Sequence, residues 1–108
     1  MGEIIHNKLV RDKIPAIITK NGDEPVWHVL KEKERLLALL NKLIEEAKEL
    51  LESGGSLEER ADVAEVLKEL DKLLGFDEST VETERLDKAN KRGGFSSGVF
   101  LDKVITND

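Results

Sequence analysis

The sequence contains no cysteine and no tyrosine, and aromatic residues make up only 4% of its 108 positions. Without thiols there is neither a disulfide nor a thiolate metal site. With so few rings, any core has to come from aliphatic side chains at helical spacing. No apolar run approaches the ~20 residues that a membrane-spanning helix needs. The opening MGEIIHNK is too short and too polar for a secretory leader. The expectation is a cytoplasmic protein with no membrane partner. A basic excess is missing as well: the net charge of −6 argues against a chain that wraps a nucleic-acid polymer on a general basic surface. That charge leaves room for a small anionic ligand held by a local basic cluster or through a metal. There is no P-loop, no GxGxxG and no Ser/His/Asp set, and His6 and His28 stand in no metal-ligand spacing.

Aliphatic and charged residues dominate, at 39% hydrophobic and 37% charged. This balance suits a single all-α domain over residues 1–108 whose amphipathic helices share a core, within one chain or between chains. Asp12 is a suitable N-cap and Pro15 suits a first turn, so a short helix is expected from Lys13 with Ile14, Ile17 and Ile18 on one face. Asn21-Gly22 ends it. Val26–Leu30 reads as a short extended run, with Trp27 as a core residue. A long helix from Lys31 to Glu52 follows, with Leu36, Leu40, Leu43, Ala47 and Leu50 as its stripe and Leu37, Ile44 and Leu51 beside it. After Gly54-Gly55, Ser56 and Glu59 match a capping box that opens a second long helix ending at Gly75. A third, more polar helix runs from Ser79 to Arg92, capped by Asp77 or Ser79. The tail holds a second extended segment, Val99–Leu101, and antiparallel pairing with Val26–Leu30 would satisfy the backbone of both.

Acidic residues lie three apart in both long helices: Glu46 and Glu49 in the first, Glu59 and Asp62 in the second. Residues so spaced share a face, and like charges there are destabilising by roughly 0.2–0.5 kcal/mol. Four carboxylates on adjacent helices are either solvated charge or a cage for a divalent cation. At ~100° per residue Glu59 falls inside the apolar arc, between Val66 and Leu70, and Asp62 at its edge. An unpaired carboxylate there is costly. Glu59 has an ordinary explanation in its capping box, and Asp62 one as a boundary residue. Glu46 flanks the leucine stripe, whereas Glu49 projects into solvent unless another surface covers it. Two basic clusters complete the candidates: Lys8, Arg11 and Lys13, and then Lys88, Lys91 and Arg92. Either suits phosphate oxygens, and the second also complements a helix C-terminus.

Asn7-Lys8-Leu9-Val10-Arg11-Asp12-Lys13-Ile14-Pro15, EExxEL at Glu45 to Leu50, EExxDV at Glu58 to Val63 and Lys91-Arg92-Gly93-Gly94-Phe95 occur in that order. Taken together they resemble the MazG-like and phosphoribosyl-ATP pyrophosphohydrolase-like family of all-α nucleoside triphosphate pyrophosphatases. The resemblance implies an antiparallel helical bundle built as a homodimer or homotetramer, in which neighbouring chains complete the site. It implies a Mg²⁺-dependent hydrolase, with Mn²⁺ as an alternative ion, that splits a nucleotide into monophosphate and pyrophosphate. The implied catalytic metal ligands are Glu46, Glu49, Glu59 and Asp62, with Glu45 or Glu58 orienting the attacking water. Lys8, Arg11, Lys13, Lys91 and Arg92 would bind substrate phosphates. Such enzymes include house-cleaning hydrolases of non-canonical nucleotides. Two other readings stand beside it: phosphoribosyl-ATP pyrophosphohydrolase of histidine biosynthesis, and a non-catalytic helical oligomerisation or binding module.

Overall fold

A computed structural model describes residues 2–107. Four helices are present in the order α1 (Ile14–Lys20), α2 (Glu32–Glu52), α3 (Leu57–Leu74) and α4 (Glu78–Arg92), with no strand among the described residues. Among the described residues no helix is long and apolar enough to cross a membrane. The chain divides into two compact units, Met1–Gly75 and Phe76–Asp108.

The first unit is organised by the hairpin of α2 and α3. Its start and stop signals are local chemistry. Ser56 caps α3 by accepting a hydrogen bond from the Glu59 N–H at 3.2 Å, and Gly75, in the left-handed region at φ 75°, stops it. At the start of α2 the Lys31 N–H donates to Glu34 Oε1 at 3.4 Å. Leu39, Val66 and Leu70 are the buried apolar residues, and Leu9, Leu36, Leu43 and Leu73 pack against them. On α2 the residues facing inward follow alternating steps of three and four: Leu36, Leu39, Leu43, Glu46, Leu50. On α3 the matching series is Glu59, Val63, Val66, Leu70, Leu73. This is the seam spacing of two helices packed along their length.

Several expectations change here. The stripe expected on α2 leaves out Leu39, the most deeply placed leucine of that helix, and includes Leu40, Ala47, Leu37, Ile44 and Leu51, all of which are exposed. The apolar arc is wide enough for two seams, and α3 covers only one of them. Asp12 does not cap α1. Lys13 is the N-cap residue and its side chain makes no capping bond; the Ile14 N–H instead donates to the Arg11 carbonyl at 3.0 Å, closing a backbone turn into the helix. Neither 26–30 nor 99–101 is a strand. Val26, Val29 and Val99 are 96%, 73% and 88% exposed, and short strands with no apolar face to bury do not hold together in water. Trp27, expected in the core, is 61% exposed.

In the second unit Asp77 Oδ1 accepts from the Thr80 N–H at 2.8 Å and from Ser79 Oγ at 3.0 Å, which starts α4 and holds the Asp77 carboxyl below its ordinary range. Gly93 follows the last turn, whose basic residues are Lys91 and Arg92.

Candidate metal centre

Near the loop between α2 and α3 the seam changes character. Glu46 occupies the next inward position after Leu39 and Leu43, and Glu59 faces it from the first turn of α3. Glu46, Glu49 and Glu59 each present a carboxylate oxygen such that all three lie within 4.8 Å of one another. Glu46 is buried, with 6% of its surface exposed, and Glu49 and Glu59 are half-buried. One oxygen of Glu46 and one of Glu59 are buried without a hydrogen-bond partner among the described residues. Unsatisfied buried carboxylate oxygens are costly and call for a cation or a proton.

The capping box, which would have explained Glu59, is only half made. Ser56 Oγ accepts from the Glu59 N–H, but the Ser56 N–H donates to Ser53 Oγ at 3.1 Å instead of to the Glu59 carboxylate. Ser53 in turn donates to the Leu50 carbonyl at 2.9 Å. The serine before the loop does the work expected of Glu59, and the Glu59 side chain is left to face Glu46 and Glu49. Glu49 also departs from expectation. A seam centred on Leu39 and Glu46, rather than on Leu40 and Ala47, turns Glu49 towards α3, so it joins the cluster within a single chain.

The local electrostatics follow from this crowding. Burial pushes the Glu46 carboxyl above its ordinary value, assisted by Glu49 and opposed by Lys42. Loss of solvent also raises Glu59, with Asp62 and Glu46 adding to the effect. Lys42, overlooked in the sequence, is 16% exposed at its side chain and reaches Glu46 Oε1 at 3.2 Å and Glu45 Oε2 at 3.5 Å. Its position three and four residues before two acids was the available signal.

Asp62 stands outside the trio and accepts from Arg11 Nη2 at 2.7 Å. Glu45 accepts from Lys8 Nζ at 3.0 Å, which lowers the Glu45 carboxyl and raises the Lys8 ammonium. Glu58 is exposed on the outer side of α3, and Lys13 is exposed ahead of α1. Lys91 and Arg92 are exposed in the last turn of α4, and Lys91 pairs with Asp87 at 3.0 Å. A hollow lined by Leu36, Leu73 and Leu74 lies at the opposite end of the hairpin from the acids.

Three carboxylates and no nitrogen or sulfur donor would suit a hard cation such as Mg²⁺ or Mn²⁺ rather than zinc or copper. The two orphaned oxygens fit such an ion. No protein-family profile, no curated protein and no solved structure matches the chain.

Proposed function

We propose that the first unit is a metal-dependent phosphohydrolase in which Glu46, Glu49 and Glu59 hold a divalent cation. The observation that carries this is that Glu46 and Glu59 take up seam positions and converge with Glu49 beside them, the two seam acids each keeping a buried oxygen with no hydrogen-bond partner among the described residues. Within that class, the particular reading is a MazG-like nucleoside triphosphate pyrophosphohydrolase. The ordered motifs from Asn7 to Phe95 support it, together with the all-helical fold.

When bound, Mg²⁺ supplies charge against phosphate oxygens and makes a water more acidic. The chain's own part is to hold and to neutralise. Glu46 is fixed by the seam and by Lys42; Glu59 is fixed by the Ser56 cap on its own backbone; Glu49 completes the set from the next turn of α2. Lys8 and Arg11 stand beside the acids, placed to meet an anionic substrate, with Lys13 nearby in sequence. Phosphoribosyl-ATP is the second substrate on the same chemistry.

A homodimer or homotetramer belongs to the reading. Leu37, Leu40, Ile44 and Leu51 on α2, with Leu57 and Leu67 on α3, are exposed and are the apolar surface a second copy would cover. A strictly monomeric protein in sedimentation experiments would remove this part. A cytoplasmic setting suits the chemistry.

The central experiment is a panel of canonical and non-canonical nucleoside triphosphates plus phosphoribosyl-ATP, assayed for Mg²⁺-dependent release of pyrophosphate. Release that EDTA abolishes is expected. No release from any of them refutes the enzyme reading and leaves the helical binding module.

A further inference from the structure

The segment ahead of α1 is fastened across the acidic end of the hairpin. Leu9 is its anchor, half-buried against the Leu39, Val66 and Leu70 cluster. One residue before the anchor, Lys8 reaches Glu45 on α2; two residues after it, Arg11 reaches Asp62 on α3. Asn7, at φ 46°, turns the backbone just before the anchor. Two cations on one strap therefore bind two acids on two helices, at the edge of the carboxylate cluster.

Asp62 sits one turn beyond Glu59 on α3, yet its carboxylate is committed to Arg11. Meanwhile Glu46, more than nine-tenths buried, keeps Oε2 unpartnered inside the cluster. We propose that Arg11 withholds Asp62 from the cation site and releases it when a polyphosphate arrives. The guanidinium then passes to phosphate oxygens, and Asp62 becomes the fourth carboxylate around the cation. The inference rests on the metal reading above and adds to it a coupling between substrate and metal.

The exchange is balanced in charge. An Arg–carboxylate pair is replaced by an Arg–phosphate pair and a carboxylate–cation contact, so no charge is left unpaired at either end. The planar guanidinium fork fits carboxylate and phosphate alike, which a lysine ammonium does not. The pair is also weak enough to open. Arg11 is 56% and Asp62 32% exposed at the side chain, and solvent-exposed pairs of this kind contribute little. Arg11 is thus a positioning residue for the metal site before it is a substrate contact. The free protein would hold a cation with three carboxylates, and the polyphosphate complex would hold it with four.

The test is a double-mutant cycle read by calorimetry, independent of turnover. Wild type, Glu49→Gln, Arg11→Gln, Asp62→Asn and the Arg11→Gln/Asp62→Asn double variant are titrated with Mn²⁺ alone. Glu49→Gln should abolish binding. Asp62→Asn should change the affinity by no more than about twofold, and Arg11→Gln should tighten it by about tenfold. The double variant should return to the wild-type value, because the gain comes from freeing Asp62. In the Mn²⁺-loaded protein, inorganic pyrophosphate should bind about tenfold more weakly to Asp62→Asn than to wild type. A gain in Arg11→Gln that persists without Asp62 would mean simple charge removal and would overturn the proposal, as would no gain at all. So would a loss in Asp62→Asn as severe as that in Glu49→Gln, which would make Asp62 a standing ligand. No Mn²⁺ binding by the wild type would instead overturn the metal reading itself, and this inference with it.

Discussion

The two ends of the α2–α3 seam are built on the same spacing and filled with opposite chemistry. At the end away from the loop, Leu36, Leu39, Leu43, Val66, Leu70 and Leu73 meet as an aliphatic contact. At the loop end the same inward positions carry Glu46 and Glu59, with Glu49 beside them. The first end gains free energy from leaving water. The second loses it, since burial raises both Glu46 and Glu59 and leaves an oxygen of each unsatisfied. A chain selected for stability alone would continue the leucines. The contrast separates the part of the hairpin that stabilises it from a part that does not, and substitution at either end tests the division.

The largest effect is expected on activity. Glu49→Gln removes a ligand charge without changing size and should lower pyrophosphate release by at least about a hundredfold. Far-UV circular dichroism should remain that of the wild type. Equal activity in both proteins would assign the acid end to solvated charge. Next comes the aliphatic end: Leu70 is 4% exposed, and Leu70→Ala should cost about 2–5 kcal/mol in urea unfolding. A cost below that of an exposed substitution would show that the seam is not where this unit gets its stability.

Extending the leucines into the acid end reverses the sign. Glu46→Leu should stabilise the metal-free protein by about 1–2 kcal/mol while abolishing any rise in melting temperature on adding Mg²⁺. Destabilisation would show that Lys42 and Glu46 form a structural pair that the fold needs.

The smallest effect is on the pH profile. Burial raises both Glu46 and Glu59 in the folded chain; Lys42 opposes and Glu49 assists the shift of Glu46, while Asp62 and Glu46 assist and Glu49 opposes that of Glu59. The folded state therefore binds protons more tightly than the unfolded one between the unfolded and folded values. Stability from these two groups rises as pH falls through that window. Glu45, Asp77 and Glu82 are depressed by their partners, so their contribution is lost lower down, as pH falls through the depressed values. The metal-free melting temperature should climb as pH falls from neutral towards the ordinary carboxylate range, and then fall as the depressed carboxyls take up protons. Glu46→Leu should flatten the climb. A monotonic fall with acid in the wild type would contradict the burial of the two carboxylates.

Much of the fold could be read from the chain because its boundaries are local. Ser56, Gly75, Asp77 and Gly93 act through their own backbone or the next turn, and each falls where the sequence puts it. Seam choice could not be read in this way. Leu39 and Leu40 differ by one position, and only the partner helix decides which of them is covered. Glu59 was legible as an acid on an apolar face, but its release from capping depends on Ser53 reaching across the loop to the Ser56 N–H. The pairs Lys8–Glu45 and Arg11–Asp62 join residues 37 and 51 apart, a distance over which no helical periodicity carries information.

The loop between the long helices has one more consequence. Gly54 and Gly55, at φ 73° and 96°, adopt backbone angles that side-chain-bearing residues resist. They reverse the chain between Ser53 and Ser56. Open space surrounds both glycines, so the backbone angle, and not crowding, reserves these positions for a residue without a side chain. The turn that lets Glu59 stand opposite Glu46 therefore rests on two residues that touch neither of them.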